Sequence, residues 1–277
     1  KTRTGKRDMD NEATADRLPL GNYRHKKILE LLYQKSAVSA EELSKEFGVS
    51  KITIRRDLDA LAADKLLERT RGGAIVVSNP QFEAIFEEKD SVAKKEKRLI
   101  GRHAASLIND HDTIFLNAGS TTLEVLRHIS GKKVKVVTNN ALAPSLELDP
   151  DIELIMLGGE YRPQSKSLIG ELALSGISRI FSSLTILGIN GISIKKGFTS
   201  AVYQETTVNA AMIENSSSQI VVVADHTKMN KVSSFLTCPL SRIDLVITDW
   251  QSPASLLDEL RENGVKVAIV GENEGAA

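Results

Sequence analysis

The chain has 277 residues, 36 Lys and Arg against 36 Asp and Glu, 41% hydrophobic residues and a single cysteine, Cys238. A length near 280 suits two domains better than one at roughly 150 residues per domain. No stretch reaches the roughly 20 apolar residues of a membrane span, the opening KTRTGKRDMDNEA offers no apolar run for a secretory signal, and one cysteine excludes a disulfide framework or a cysteine-rich zinc module. We therefore expect a cytoplasmic protein with no membrane partner and no metal or cofactor.

Residues 1–79 hold 16 basic and 12 acidic side chains, a weak asymmetry against the remainder. Residues 1–21 are polar and lack apolar periodicity, so they read as a disordered tail ahead of a first domain at 22–78. Ile28, Leu29, Leu31 and Leu32 form the stripe of a first helix. Ser39 and Glu42 have capping-box spacing and start a short second helix that carries Leu43 and Phe47 inward and ends at Gly48. Ser50 then caps a third helix of about 13 residues whose buried face is Ile54, Leu58 and Leu61. Its opposite face offers Ile52, Thr53, Arg56 and Asp59, flanked by Lys51 and Arg55. An exposed Ile52 is informative, because a thymine methyl is one surface that would cover it. Leu66–Val77 reads as a hairpin around Gly72-Gly73, whose glycines supply the positive φ of the turn, with Arg69 and Arg71 near its tip. A short helix, a glycine turn and a helix with basic residues in its first half make a winged helix-turn-helix able to hold double-stranded DNA. The competing reading is a small helical domain that binds protein.

Arg24-x-x-x-Ile28, Ser50-Lys-Ile-Thr-Ile-Arg-Arg-Asp-Leu58 and Arg71-Gly-Gly-Ala74 resemble the DeoR family of bacterial sugar-metabolism repressors. The resemblance implies that Thr53, Arg55 and Arg56 lie in or beside the major groove. With Ser50, Lys51, Ile52, Arg69 and Arg71 they make the expected DNA-binding set. Asp57 is expected to tie this helix to the wing or to Arg69.

Residues 79–92 read as a linker that docks in part through Phe82, Ile85 and Phe86. Beyond it, from 93 to 277, a helix at about 93–109 precedes apolar runs at Thr113–Leu116, Val134–Thr138, Ile152–Leu157, Leu184–Ile189, Ile220–Asp225, Leu245–Thr248 and Val265–Val270. Short strands alternating with helices predict an α/β domain with a largely parallel sheet, whose ligand loops lie at the strand carboxyl ends. Asn117-Ala-Gly-Ser-Thr-Thr122 joins the first strand to a helix and offers amides and hydroxyls suited to phosphate, although Ser120 or Thr121 acting only as a cap is the plainer reading. Thr138-Asn139, Gly158-Gly159 with Arg162, and Asp225 with Lys228 add similar chemistry at three more strand ends.

This order of loops also resembles the DeoR sensor domain, a Rossmann-like parallel-sheet fold similar to ribose-5-phosphate isomerase. It implies a phosphorylated sugar or related metabolite as effector, held by Asn117, Gly119, Ser120, Thr121, Thr122, Thr138, Asn139, Gly158, Gly159, Arg162, Glu205 and Lys228. Asn117 departs from the family's usual aspartate, and Asn190 stands where an acidic or small residue is common. Both changes count against proton abstraction from a sugar, which requires a positioned base.

No G-x-G-x-x-G, G-x-x-x-x-G-K-[ST], H-E-x-x-H or G-x-S-x-G occurs, and His25, His103, His111, His128 and His226 are scattered. The rival reading is a sugar-phosphate isomerase with Glu205 and Asp225 as base and acid, and a third is an assembly domain without a ligand. A DNA-binding head favours a repressor working as a dimer or tetramer, since a two-fold operator requires two heads.

Overall fold

The computed structural model describes residues 24, 25, 27–29, 31, 32, 37–63, 67–75 and 85–271. The expected tail at 1–21 and Phe82 lie outside them. The chain divides into two units, 1–78 and 79–277, each with a hydrophobic core of its own.

In the first unit, helix α1 includes residues 24, 25, 27–29, 31 and 32, and is followed by β1 (Ala37–Ser39), α2 (Ala40–Phe47), α3 (Lys51–Ala63), β2 (Glu68–Arg69) and β3 (Gly73–Ile75). The Ser39 hydroxyl accepts from the Glu42 amide at 3.1 Å and so starts α2, and Gly48 ends it with φ of 62°. Ile28, Leu32, Leu43, Ile54 and Leu58 are wholly buried together, as the 3.6-residue period requires. The three strands pair antiparallel in the order β1-β3-β2.

The glycine pair serves a different purpose from the one expected. Neither Gly72 nor Gly73 takes a positive φ. A Cβ on Gly73 would instead lie 1.9 Å from the Val38 carbonyl oxygen, so a side chain there would separate β3 from β1.

The second unit runs α4 (Phe86–Ser91), α5 (Lys94–Ser106), β4 (Thr113–Leu116), α6 (Ser120–Arg127), β5 (Val134–Thr138), β6 (Ile152–Met156), β7 (Glu160–Arg162), β8 (Ser167–Ile169), α7 (Glu171–Ile177), β9 (Ser182–Gly188), β10 (Gly191–Ser193), β11 (Gly197–Ser200), α8 (Tyr203–Glu214), β12 (Ser216–Val223), β13 (Phe235–Cys238), β14 (Leu245–Asp249), α9 (Ala254–Glu262) and β15 (Lys266–Val270). Its seven-stranded sheet is parallel throughout, in the order β15-β14-β12-β9-β4-β5-β6. Both faces are covered: Ile114 and Leu116 of β4 join one core with Ile100 and Val125, while Phe115 joins the other with Val208 and Met212. Burial on both faces explains why these strands read as continuous apolar runs rather than alternating ones.

Part of the stretch expected to be linker is the helix α4, with Phe86 buried. The β7–β8 hairpin and a three-stranded antiparallel sheet, β10-β11-β13, are further additions to the expected fold. Strands of three or four residues with polar members carry too little periodicity to announce themselves. No helix among the described residues is long and apolar enough to cross a membrane.

Candidate functional site

Two surfaces have functional chemistry, and the first is the outer face of α3. Ser50 accepts from the Thr53 amide at 3.1 Å and shares a hydrogen bond with its hydroxyl at 2.9 Å, which sets the start of the helix. Ile52 is 64% exposed beside exposed Arg55 and Arg56. Lys51 reaches Glu41 of α2 at 3.1 Å, so it braces the two helices at their exposed ends. Arg55, Arg56 and Arg71 have no hydrogen-bond or charge partner among the described residues. Free guanidinium groups around an apolar side chain suit the base edges and phosphates of a duplex.

One expectation about this unit is corrected, and one residue of the expected DNA-binding set has partners within the unit. Asp57 is tied to α1 and not to the wing: Arg24 donates to it from Nε at 2.5 Å and from Nη2 at 2.9 Å, and the His25 ring lies 3.2 Å away. Burial raises the Asp57 carboxyl, but hydrogen bonds and charge from Arg24, then His25, hold it below its ordinary value. Arg69 is itself engaged, pairing with Asp59 at 2.7 Å and donating to the Gly73 carbonyl, so it fastens the wing to α3.

The second surface lies at the carboxyl ends of β12, β9 and β4, three neighbouring strands. From β4 the chain leads to β5 on one side, while β9 closes on the other. This is the switch point at which open α/β sheets bind ligands. Ala118, Gly119, Ser120 and Thr121 line a pocket there with Gly188, Asn190, Glu205, Asn209 and Lys228.

The loop after β4 is held open by side chains behind it. Asn117 is buried and donates to the Gly188 carbonyl at 2.8 Å and to Asn209 at 2.9 Å, while accepting from the Gly188 amide at 2.8 Å. Asn139 accepts from the Ala118 amide at 2.7 Å and donates to the Leu168 carbonyl at 3.0 Å. Thr138 accepts from the Asn140 amide, and Thr122 turns its hydroxyl back onto the Asn117 and Gly119 carbonyls. These four form a frame behind the pocket and not its lining, contrary to their expected contact role. Gly119 begins α6 with no side-chain cap, so the positive end of the helix faces the pocket with the Ser120 and Thr121 hydroxyls.

Positive side chains gather on the neighbouring loops. Lys228 Nζ is 3.9 Å from Asp225 and donates to the Thr227 hydroxyl at 3.0 Å, and Lys89 of α4 also lines the pocket. Behind them Lys97 of α5 is only 2% exposed and donates to the Lys89 carbonyl. Burial, opposed by Asp225 and reinforced by Lys228, pushes Lys97 down to about 8. Burial would raise the Asp225 carboxyl, yet Lys228 and Lys97 with the Thr227 hydrogen bonds hold it below its ordinary value; its Oδ2 has no hydrogen-bond partner.

On the pocket's other flank Glu205 accepts from Ser167 at 3.2 Å and lies 3.8 Å from Arg162, which donates to Ser165 at 3.2 Å. Of the expected effector set, the pocket brings together Gly119, Ser120, Thr121, Glu205 and Lys228. Arg162 stands behind Glu205. Gly158 and Gly159 start the hairpin, where a Cβ on Gly159, at φ of 139°, would lie 2.3 Å from the Ile169 carbonyl oxygen. Sequence reasoning missed Phe86, Lys89, Lys97 and Ser165. For Lys97 a signal existed, since Lys97, Ile100, Gly101 and Ala104 fall on one helix face whose other members carry no polar side chain.

Comparison with known proteins assigns both units. Residues 24–80 match the DeoR-like helix-turn-helix domain and residues 92–250 the DeoR C terminal sensor domain. The chain is 34% identical over 249 residues to the Glycerol-3-phosphate regulon repressor of Escherichia coli (strain K12), covering 89% of this chain and 98% of that one. It is 32% identical over 249 residues to the HTH-type transcriptional repressor GlcR of Bacillus subtilis (strain 168), covering 90% and 96%. Among solved structures, ribose 5-phosphate isomerase A from Methanocaldococcus jannaschii matches 49% of this chain and 54% of its own, at 16% identity and a TM-score of 0.36, a likeness too distant to bear on activity. Matched in both units and in the same order, and aligned with relatives over almost their whole length, the chain belongs to the DeoR family of transcriptional regulators.

Proposed function

We propose that this protein is a sequence-specific repressor of carbohydrate-metabolism genes, that its switch-point pocket takes a phosphorylated sugar or related metabolite, and that occupancy releases the operator. One observation carries the effector reading: the uncapped start of α6, with the Ser120 and Thr121 hydroxyls, lines the same pocket as Lys228. Oriented amides, hydroxyl donors and an ammonium group together suit a phosphate, and Glu205 suits sugar hydroxyls. The relatives' names, a glycerol-3-phosphate regulon repressor among them, point to the same ligand class.

The α3 face with Ile52, Arg55 and Arg56 is the reading surface for bases, and Arg71 touches phosphates. Two copies at least are required to read a two-fold operator, and the protein works in the cytoplasm. A regulator rather than an isomerase is also the better chemical fit. Asp225 is fully buried with Thr227 donating to it, and Glu205 is engaged by Ser167 and Arg162, which leaves neither poised as a base for a sugar carbon.

A thermal-melting screen against phosphorylated sugars, followed by operator binding with each hit, tests this reading. A ligand at about a hundredfold over its Kd adds about 2.7 kcal/mol, which for a domain of this size is a rise of about 5 to 10 °C. Lys228→Ala and Ser120→Asp proteins should bind the operator like the parent yet fail to release it. Release at the parent's effector concentration would place the phosphate elsewhere.

A further inference from the structure

Helix α4 has only six residues, too few to hold a fixed position by its own hydrogen bonds. Its place depends on ties to other elements, and those ties converge on the pocket. At its start the Phe86 amide donates to the Gln164 carbonyl at 2.6 Å, and Glu87 pairs with Lys166 at 3.1 Å. The segment between Gln164 and Lys166 also carries Ser165, which lines the pocket with Phe86 and Lys89. Towards its other end the tie is Lys97, the one buried lysine among the described residues, through the Lys89 carbonyl. An ammonium group in that position would ordinarily sit at the surface. Its neighbour Asp225 has a buried oxygen that takes no hydrogen bond and faces the Lys228 ammonium at 3.9 Å, so Lys97 and Lys228 share one buried carboxylate at this end of the pocket.

We infer that Lys97 is a positioning residue for effector sensing: by donating to the Lys89 carbonyl it holds α4 as a wall of the pocket, so that a bound phosphorylated ligand is registered as ordering of α4. The inference rests on the pocket reading above. Chain order gives it a purpose, because α4 is the first described element of the second unit and follows the stretch leading out of the DNA-binding head. A ligand resting on Phe86 and Lys89 as well as on Ser120 and Lys228 would join that element to the sheet. Placing Lys97 one layer behind the lining lets it fix α4 without occupying ligand space.

Hydrogen exchange of the full-length protein, read at residues 86–91, tests this, with inorganic phosphate and glycerol 3-phosphate as probes. Loss of a charged hydrogen bond should accelerate exchange in α4 about ten- to a hundredfold in Lys97→Met without ligand, while β4 and β12 stay protected. Lys97→Arg, which keeps the donor, should recover most of the protection. In the parent, a probe should slow exchange in α4 together with residues 118–122. Unchanged α4 exchange in Lys97→Met, or slowing at 118–122 without slowing in α4, would overturn the inference. Should Lys97→Met lose β12 protection and so fail to fold, Lys97→Gln, whose neutral amide can still donate but without the charge, should accelerate α4 exchange by a smaller factor, and unchanged exchange there would likewise overturn the inference. A parent that responds to no phosphorylated probe contradicts the effector reading instead, and the ligand-free comparison then still decides the role of Lys97.

Discussion

Asn117→Asp tests the frame behind the pocket at its most constrained point. The asparagine amide donates at 2.8 Å to the Gly188 carbonyl and at 2.9 Å to Asn209, in a place where both asparagines are almost fully buried. Aspartate retains the acceptor for the Gly188 amide but turns both donations into contacts between acceptors. An unsatisfied buried acceptor costs about 1 to 3 kcal/mol, so two would cost about 2 to 6. Rotation of the Asn209 amide would restore one hydrogen bond and bring the expected loss to about 1 to 3 kcal/mol. Urea unfolding followed through Trp250 measures it, because this is the chain's one tryptophan and lies in the second unit. The midpoint should fall by about 0.5 to 1.5 M at an unchanged slope. Asn209→Ala in the same background should be less than additive, since it removes one of the two opposed acceptors. An Asn117→Asp midpoint equal to the parent's would refute the clasp and leave Asn117 free to face a ligand.

Further expectations follow for the head and for pH. Arg56→Ala should cost about 1 to 3 kcal/mol on the operator and relax one base position, whereas Arg71→Ala should weaken operator and random DNA alike and reduce the salt slope by about 1; anisotropy titrations at several salt concentrations separate them. Asp57→Ala should destabilise the head by about 2 to 4 kcal/mol, seen in its circular-dichroism melt, because Arg24 is left without its partner. The Asp57 carboxyl is held below its unfolded value, so its stabilisation is present above about pH 4 and is lost as pH falls through the lowered value; Asp57→Asn should flatten that loss. His226 behaves in the opposite sense. A hydrogen bond with Asp249 outweighs burial and raises it, so its stabilisation is present below about pH 6.5 and is lost as pH climbs through the raised value; Asp249→Asn should remove this dependence in melts taken between pH 6 and 9.

What could be read from residues alone followed how local the signal was. The Ser39 cap, the Ile54–Leu58–Leu61 face of α3 and the seven apolar strands each depend on neighbours a few residues away, so periodicity and capping chemistry revealed them. Ser120, Thr121 and Lys228 stood out in the sequence as hydroxyl and cationic residues just after strands, and the structure brings them to one pocket. Partner choice was not legible. Asp57 has Arg24 on one side and Arg69 beyond, and only the packing of α1 onto α3 selects the former. Asn139 and Asn117 look like ligand groups in a loop sequence, yet their hydrogen bonds are taken by groups 21 to 92 residues away in the chain, a separation at which pattern says nothing. Lys97 had a signal in its helix period, but beside Lys94 and Lys95, which share its composition and face outward, that signal was easy to pass over.

The position of β4 in the middle of its sheet has a consequence for the order of events during synthesis. Its neighbour on one side, β5, follows within about two dozen residues, but the other side is closed by β9, and the Asn117 contacts to Gly188 and Asn209 span 71 and 92 residues. The longest pairing described in the head, Ala37 with Ile75, spans 38. Domains fold as units from the N-terminus at about 5 to 20 residues per second, and distant pairings form slowly. A nascent chain therefore has every residue of its helix-turn-helix unit several seconds before the last strands around the pocket are made, so the head can fold on the ribosome while the sheet that frames the pocket still waits for its partners.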